Sequence, residues 1–101
     1  MIVFISGAIS GRKKEDYEKQ FNDAENELTE SGYICVNPIA EGDKICKTWG
    51  DWIARDIRLL LECDVIYMLK GWEKSRGSRI EYAVAKEIGL KIMYEDGEGR
   101  E

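Results

Sequence analysis

Without a single histidine, the chain has no Ser-His-Asp or Cys-His mechanism open to it, and catalysis would rest on carboxylates, Ser, Tyr, Lys or Arg. Two carboxylates stand out by position. Glu81 lies in SRGSRIEYA, where a polar loop runs into a helix. Ser78-Arg79-Ile80-Glu81 fits the capping box, in which the glutamate reaches back to the N–H of the cap. The same position suits a nucleophile, because the positive end of a helix keeps a carboxylate ionised. Spacing does not separate the two readings. Asp56 is the other carboxylate. On a helical wheel Trp49, Trp52, Ile53 and Leu60 share one apolar stripe, and Asp56 falls in its middle. A carboxylate there either pairs with Arg12, Arg55 or another base at the rim, or points into a polar crevice.

Two Gly/Ser-rich loops accompany these carboxylates. In SGAISG, Gly7 and Gly11 permit close backbone approach to a ligand, and the following helix N-terminus favours a phosphate or a polarised oxygen. Ser6, Gly7, Ala8, Ile9 and Gly11 are therefore candidate ligand contacts. The loop lacks the third glycine of a dinucleotide fingerprint and the Gly-Lys-Ser/Thr of a P-loop, so a plain tight turn stays open. In GWEKSRGS, Trp72 either stacks on a base, worth about 1–3 kcal/mol, or covers the edge of the core. Ser75, Gly77 and Ser78 offer polar contacts. Arg76 and Arg79 either grip a phosphate or solvate the loop.

The elements that must position these groups alternate. Met1–Ser6 is a short apolar run that suits a strand buried on both faces. Tyr17, Phe21, Ala24 and Leu28 recur at helical spacing up to Gly32. Tyr33–Val36 reads as a second strand closed by Asn37-Pro38, and a polar loop containing Gly42 leads to Lys47. Thr48 caps a helix through the tryptophan-rich segment, Asp64–Lys70 is a third strand, and the helix around Glu81 closes at Gly89 before a fourth strand, Leu90–Tyr94. Such alternation implies right-handed crossovers and a parallel sheet covered on both faces. With the common order 2-1-3-4, ligands bind beyond the strand ends between strands one and three. The two loops just described follow those strands.

A chain of 101 residues makes one domain; we expect an α/β domain over residues 1–95 and a flexible tail over 96–101. A net charge of −5 argues against polymeric nucleic acid or an anionic membrane as partner, yet leaves room for a small anion. Cys35, Cys46 and Cys63 match no zinc spacing, so no metal is expected, and they read as thiols of a reducing compartment. Neither a signal peptide nor an apolar run of about 20 residues is visible, and the expected location is cytoplasmic.

In order and spacing, FISGAISG, GYICVNP and DIRLLLECDVIYMLKGWEKSRGSRIEYAVAKEIGLKI resemble the nucleoside 2-deoxyribosyltransferase superfamily, and more closely its small phage and bacterial domains of unknown function. The resemblance implies a flavodoxin-like, Rossmann-like three-layer sandwich. It also implies that Glu81 is a nucleophile attacking the anomeric carbon of a nucleoside or 5′-nucleotide, and that Asp56 binds or protonates the departing base. Transfer to another base or hydrolysis would follow, with no cofactor. Phe4 stands where the first strand of these enzymes often has tyrosine, and Ser75 or Arg76 where an aspartate is usual. Relatives commonly complete each other's sites, which implies a homodimer or larger assembly. A module that binds a nucleotide-like ligand without turnover is the alternative, and an assembly protein with a vestigial crevice is a third reading.

Overall fold

The structure, a computed structural model, describes residues 1–41 and 46–97. The loop expected around Gly42 and the end of the expected tail, residues 98–101, lie outside the described residues. Four strands, β1 (Ile2–Ser6), β2 (Ile34–Val36), β3 (Val65–Met68) and β4 (Lys91–Tyr94), form a parallel sheet in the order β2-β1-β3-β4. The helices are α1 (Lys14–Glu30), α2 (Pro38–Glu41), α3 (Trp49–Leu60) and α4 (Arg76–Ile88), with one 3-10 turn at Trp72–Lys74. The doubly wound sandwich is the one the alternating sequence pattern implies.

Strand alternation divides the core. Val3, Ile5, Val65 and Tyr67 face α1, where Phe21, Ala24 and Leu28 close over them. Phe4, Ile66 and Met68 face the other way, against Leu60 of α3 and Ala85 of α4. By the same period of two, Ser6 continues the Phe4 face and ends β1 beneath α4. Thr48 caps α3 as expected: its hydroxyl accepts from the Asp51 N–H at 3.0 Å, while the Asp51 carboxylate accepts from the Thr48 N–H at 3.1 Å.

Three local expectations change. Asn37-Pro38 does not merely close β2; it starts α2, with the Asn37 Oδ1 accepting from the Ile39 N–H at 3.3 Å. Proline at a first helical position loses no bond, since that N–H has no intrahelical partner. Second, α4 begins at Arg76, with Ser75 as its cap, accepting from the Ser78 N–H at 3.1 Å. Ser78 and Glu81 therefore lie inside the helix, and the expected capping box does not form. Third, the apolar stripe of α3 splits. Leu60 is buried in the core, but Trp49 and Trp52 are 43% and 40% exposed, because the first half of α3 stands over a cavity rather than over the sheet.

Gly7 is required by packing as well as by its place at the crevice. A Cβ there would sit 2.7 Å from Cδ1 of Leu69, which is fully buried. Gly11 turns the chain with φ of 78°, a conformation that side-chain-bearing residues rarely adopt. Gly7→Ala should destabilise the fold by about 1–3 kcal/mol through overpacking, seen as a lower urea midpoint with an unchanged slope.

Candidate active site

Glu81 is 4% exposed. It belongs to the buried stripe of α4 with Ser78 and Ala85, one helical turn apart in each step. Ala85 sits in the core, whereas Ser78 and Glu81, earlier in the helix, lie against the end of β1. The Ser6 hydroxyl donates to Glu81 Oε1 at 2.6 Å and lies 3.0 Å from the Ser78 hydroxyl. Phe4, where tyrosine was noted as usual, is buried in the core on the same face of β1. Ser6 supplies the hydroxyl that orients the carboxyl, two residues further along the strand.

Asp56 meets the same carboxyl from α3. Burial, chiefly, pushes the Glu81 pKa up from 4.5 to about 8, and the charge and hydrogen bond of Asp56 push it the same way. The Ser6 hydrogen bond and the Arg55 charge oppose the shift. The helix end does not keep Glu81 ionised, as its position in the sequence implied. Glu81 lies in the second turn, and the end effect fades within the first, so desolvation wins.

Asp56 also pairs with its neighbour in sequence. Arg55 donates to Asp56 Oδ1 from Nη2 at 2.8 Å and from Nε at 3.2 Å. Both readings of Asp56 thus hold together: it has a basic partner and it still reaches the crevice. Arg55 is anchored further by the Pro38 carbonyl, 2.7 Å from Nη2, and its guanidinium lies 4.8 Å from the centre of the Trp52 ring.

These groups close one end of a cavity of about 920 Å³, within the usual range for small-ligand sites. It lies beyond the carboxyl ends of β1 and β3, where the strand order reverses. Of the residues expected to bind a ligand, Gly7, Ala8, Ile9, Ser75, Arg76, Gly77 and Ser78 line it, together with Glu81 and Asp56. Ser6 acts on Glu81 from behind, and Gly11 is not part of the wall. Trp72 is turned away: its ring stacks on Tyr82 with centroids 4.7 Å apart and packs on the core. The expected arginine pair is divided. Arg76 lines the cavity with its guanidinium 3.8 Å from the centre of the Trp49 ring. Arg79 instead donates to the Glu73 carbonyl at 2.7 Å.

Among the basic wall residues, Lys14 and Lys74 were not singled out in the sequence, and Arg12 only as a possible partner of Asp56. Lys14, Lys74 and Arg12 reach the cavity with Arg76 and Arg55, against the acidic Glu18, Asp56 and Glu81. The wall therefore carries more basic than acidic groups in a chain of net charge −5. Lys14 and Lys74 lie beside the two Gly/Ser-rich loops, which is the signal that would have found them.

A doubly wound domain with two carboxyls touching at its switch-point crevice is the class that these observations define. The chain belongs to the DUF4406 family, a domain of unknown function, whose family model matches residues 1–94. Among solved structures, it is similar to that of the Clostridium botulinum CMP N-glycosidase BcmB. The two share a TM-score of 0.63 and 24% sequence identity, over 93% of this chain and 67% of that one, a likeness of fold. No curated protein sequence matches the chain. Among the described residues, no helix is long and apolar enough to cross a membrane.

The burial of Glu81 has a pH signature. The folded chain holds this proton up to about 8, and the unfolded chain releases it near 4.5. Between those values the folded state binds more protons, so the contribution to stability is whole below the lower value and is lost as pH rises through the upper one. Glu81→Gln, which cannot ionise, should gain on the wild type by on the order of a few kcal/mol between pH 5 and pH 9. Thermal unfolding of both proteins across that range measures the gap.

Proposed function

We propose that this chain breaks the N-glycosidic bond of a nucleoside or nucleoside 5′-monophosphate through Glu81, as a member of the nucleoside 2-deoxyribosyltransferase superfamily. The carrying observation is the contact between the Glu81 and Asp56 carboxyls at the floor of the crevice. Glycosidic cleavage needs an ionised carboxylate at the anomeric carbon and a proton for the departing group. Two touching carboxyls that share one proton hold both. A sugar seated between them would part the pair toward the separation of about 5 Å used in retaining glycosidases. Glu81 then bonds to the anomeric carbon, the C–N electron pair leaves with the base, and the shared proton follows it. Water or a second base releases the sugar from Glu81.

The basic wall groups Arg12, Lys14, Lys74 and Arg76 suit a 5′-phosphate, and the similar structure is of an enzyme named for CMP. We place the protein in the cytoplasm, as a homodimer or larger assembly whose second copy narrows the open side of the crevice. The half-exposed Trp49 and Trp52 at the mouth support such a contact. A second reading, binding without turnover, is favoured by the raised pKa of Glu81, because a protonated carboxyl is a hydrogen-bond donor and not a nucleophile.

A panel of nucleosides and 5′-monophosphates, assayed for free base, separates the two. If the pair supplies both the nucleophile and the proton, turnover falls as pH rises through about 8, where that proton is lost. Glu81→Gln then loses roughly a thousandfold or more, and Asp56→Asn roughly a hundredfold or more. Full activity in Glu81→Gln would remove the assignment. Ligand binding with no base released by the wild type would select the second reading.

A further inference from the structure

Two serine hydroxyls stand beside Glu81, and counting their hydrogens fixes which one gives. Ser6, at the end of β1, is 1% exposed and Ser78, in the first turn of α4, is 2% exposed, so each must find its partners within the protein. The Ser6 oxygen is 2.6 Å from Glu81 Oε1 and 3.0 Å from the Ser78 oxygen. A serine hydroxyl carries a single hydrogen, and its oxygen also accepts. The shorter separation is that of a hydroxyl donating to a carboxylate; the longer lies at the far end for two neutral hydroxyls. The Ser6 hydrogen therefore goes to Glu81. The contact between the serines is then a hydrogen bond only if Ser78 donates to Ser6.

Protonation of Glu81 does not reverse this direction. The hydrogen bond with Asp56 favours the protonated carboxyl, so the proton is held between the two acids, while the Ser6 bond favours the ionised form. A hydroxyl has that effect by donating. Ser6 thus gives its hydrogen to Oε1 in both states. The charges that act on Glu81 come from Asp56 and Arg55, both on α3; the serines are the neutral part of its surroundings and reach it from β1 and from α4 itself. Ser78 is fixed in turn by its place in the helix, where its N–H donates to the Ser75 hydroxyl at 3.1 Å.

We propose that Ser78 is a positioning residue, the first donor in a one-way chain that runs through Ser6 to Glu81 Oε1. Its part in turnover rests on the glycosidic reading above; its hold on the Glu81 carboxyl does not. By donating, Ser78 polarises the Ser6 hydroxyl and strengthens the bond that Ser6 makes to the carboxylate. It also closes off the alternative in which Ser6 turns its hydrogen toward Ser78 and leaves Oε1 facing a lone pair. Although Ser78 lines the cavity, its one hydrogen is spent on Ser6, and it has none to donate to a ligand.

Carbon-13 titration of the Glu81 carboxyl in the wild type, Ser78→Ala, Ser6→Ala and the double variant tests the chain. Ser6→Ala should raise the midpoint by about one pH unit, because it removes a hydrogen bond to a charged group. Ser78→Ala should raise it by roughly a few tenths of a unit, the share carried by cooperative strengthening. In the Ser6→Ala background the same substitution should add nothing, since Ser78 acts only through Ser6. A serine that merely packs would leave the midpoint unmoved, and one that acts on Glu81 directly would move it equally in both backgrounds; either result overturns the assignment. Should Ser78→Ala not fold, Ser78→Cys, a weak donor of similar size, takes its place with the same outcomes. In assays of base release, the alkaline fall of turnover should move to higher pH with each midpoint. Shifted midpoints with no base released from any nucleoside or 5′-monophosphate uphold the chain and sink the glycosidic reading alone.

Discussion

A carboxyl group taken out of water gives up its charge unless its neighbours hold it, and at the floor of this crevice Glu81 keeps its proton up to about 8, chiefly because it is buried. It is sealed by α4 above and the end of β1 below, and its contacts are the Ser6 hydroxyl, the Asp56 carboxyl and, through Asp56, the Arg55 guanidinium. The Ser6 hydrogen bond and the Arg55 charge offset part of the desolvation cost of the charged form, and Asp56 adds to that cost. The relay spans β1, α3 and α4, so a shift of any one of these elements changes the acidity of the group at its centre. Asp56 is its middle link, bonded on both sides, and that makes α3 the element whose placement matters most.

The fold supplies this placement cheaply. Parallel strands put the start of every helix at the same edge of the sheet, and reversal of strand order between β1 and β3 parts the loops there. Alternation along β1 then sends Ser6 toward α4 while Ile5 goes to the α1 side of the core. Gly7, just past the end of β1, leaves room for the buried Leu69 side chain, and a larger residue there would press on the strand end that carries Ser6. Apolar packing below the site thereby sets distances of hydrogen-bond accuracy within it.

Much of this architecture could be read from the amino acids alone. Period-two runs such as IVFIS and DVIYM, and the spacing of Phe21, Ala24 and Leu28, report burial directly, and burial defines a sheet sandwich. Local chemistry was harder to read where two residues compete for one role. Ser75 and Ser78 both suit a helix cap, and only the extended backbone at Ser75, with φ of −104° and ψ of 121°, settles which one takes it. That shift of three residues turns Glu81 from a capping group into a buried one. The tryptophans of α3 misled for a different reason, since an apolar stripe covers a ligand cavity as readily as a core. Arg55 was one of several possible partners for Asp56 in the sequence: neighbours on a helix do not face each other in general, and the reach of a long side chain brings these two together.

The raised pKa of the buried Glu81 carboxyl is the claim on which the site stands. Carbon-13 NMR of the Glu81 side-chain carboxyl, followed from pH 4 to pH 10 in the wild type and in Asp56→Asn, measures it directly. The account requires a midpoint near 8 in the wild type, well above the ordinary 4.5, and a downward move once the Asp56 charge is gone. A Glu81 carboxyl that titrates at its ordinary value, with no response to the substitution at Asp56, would contradict it.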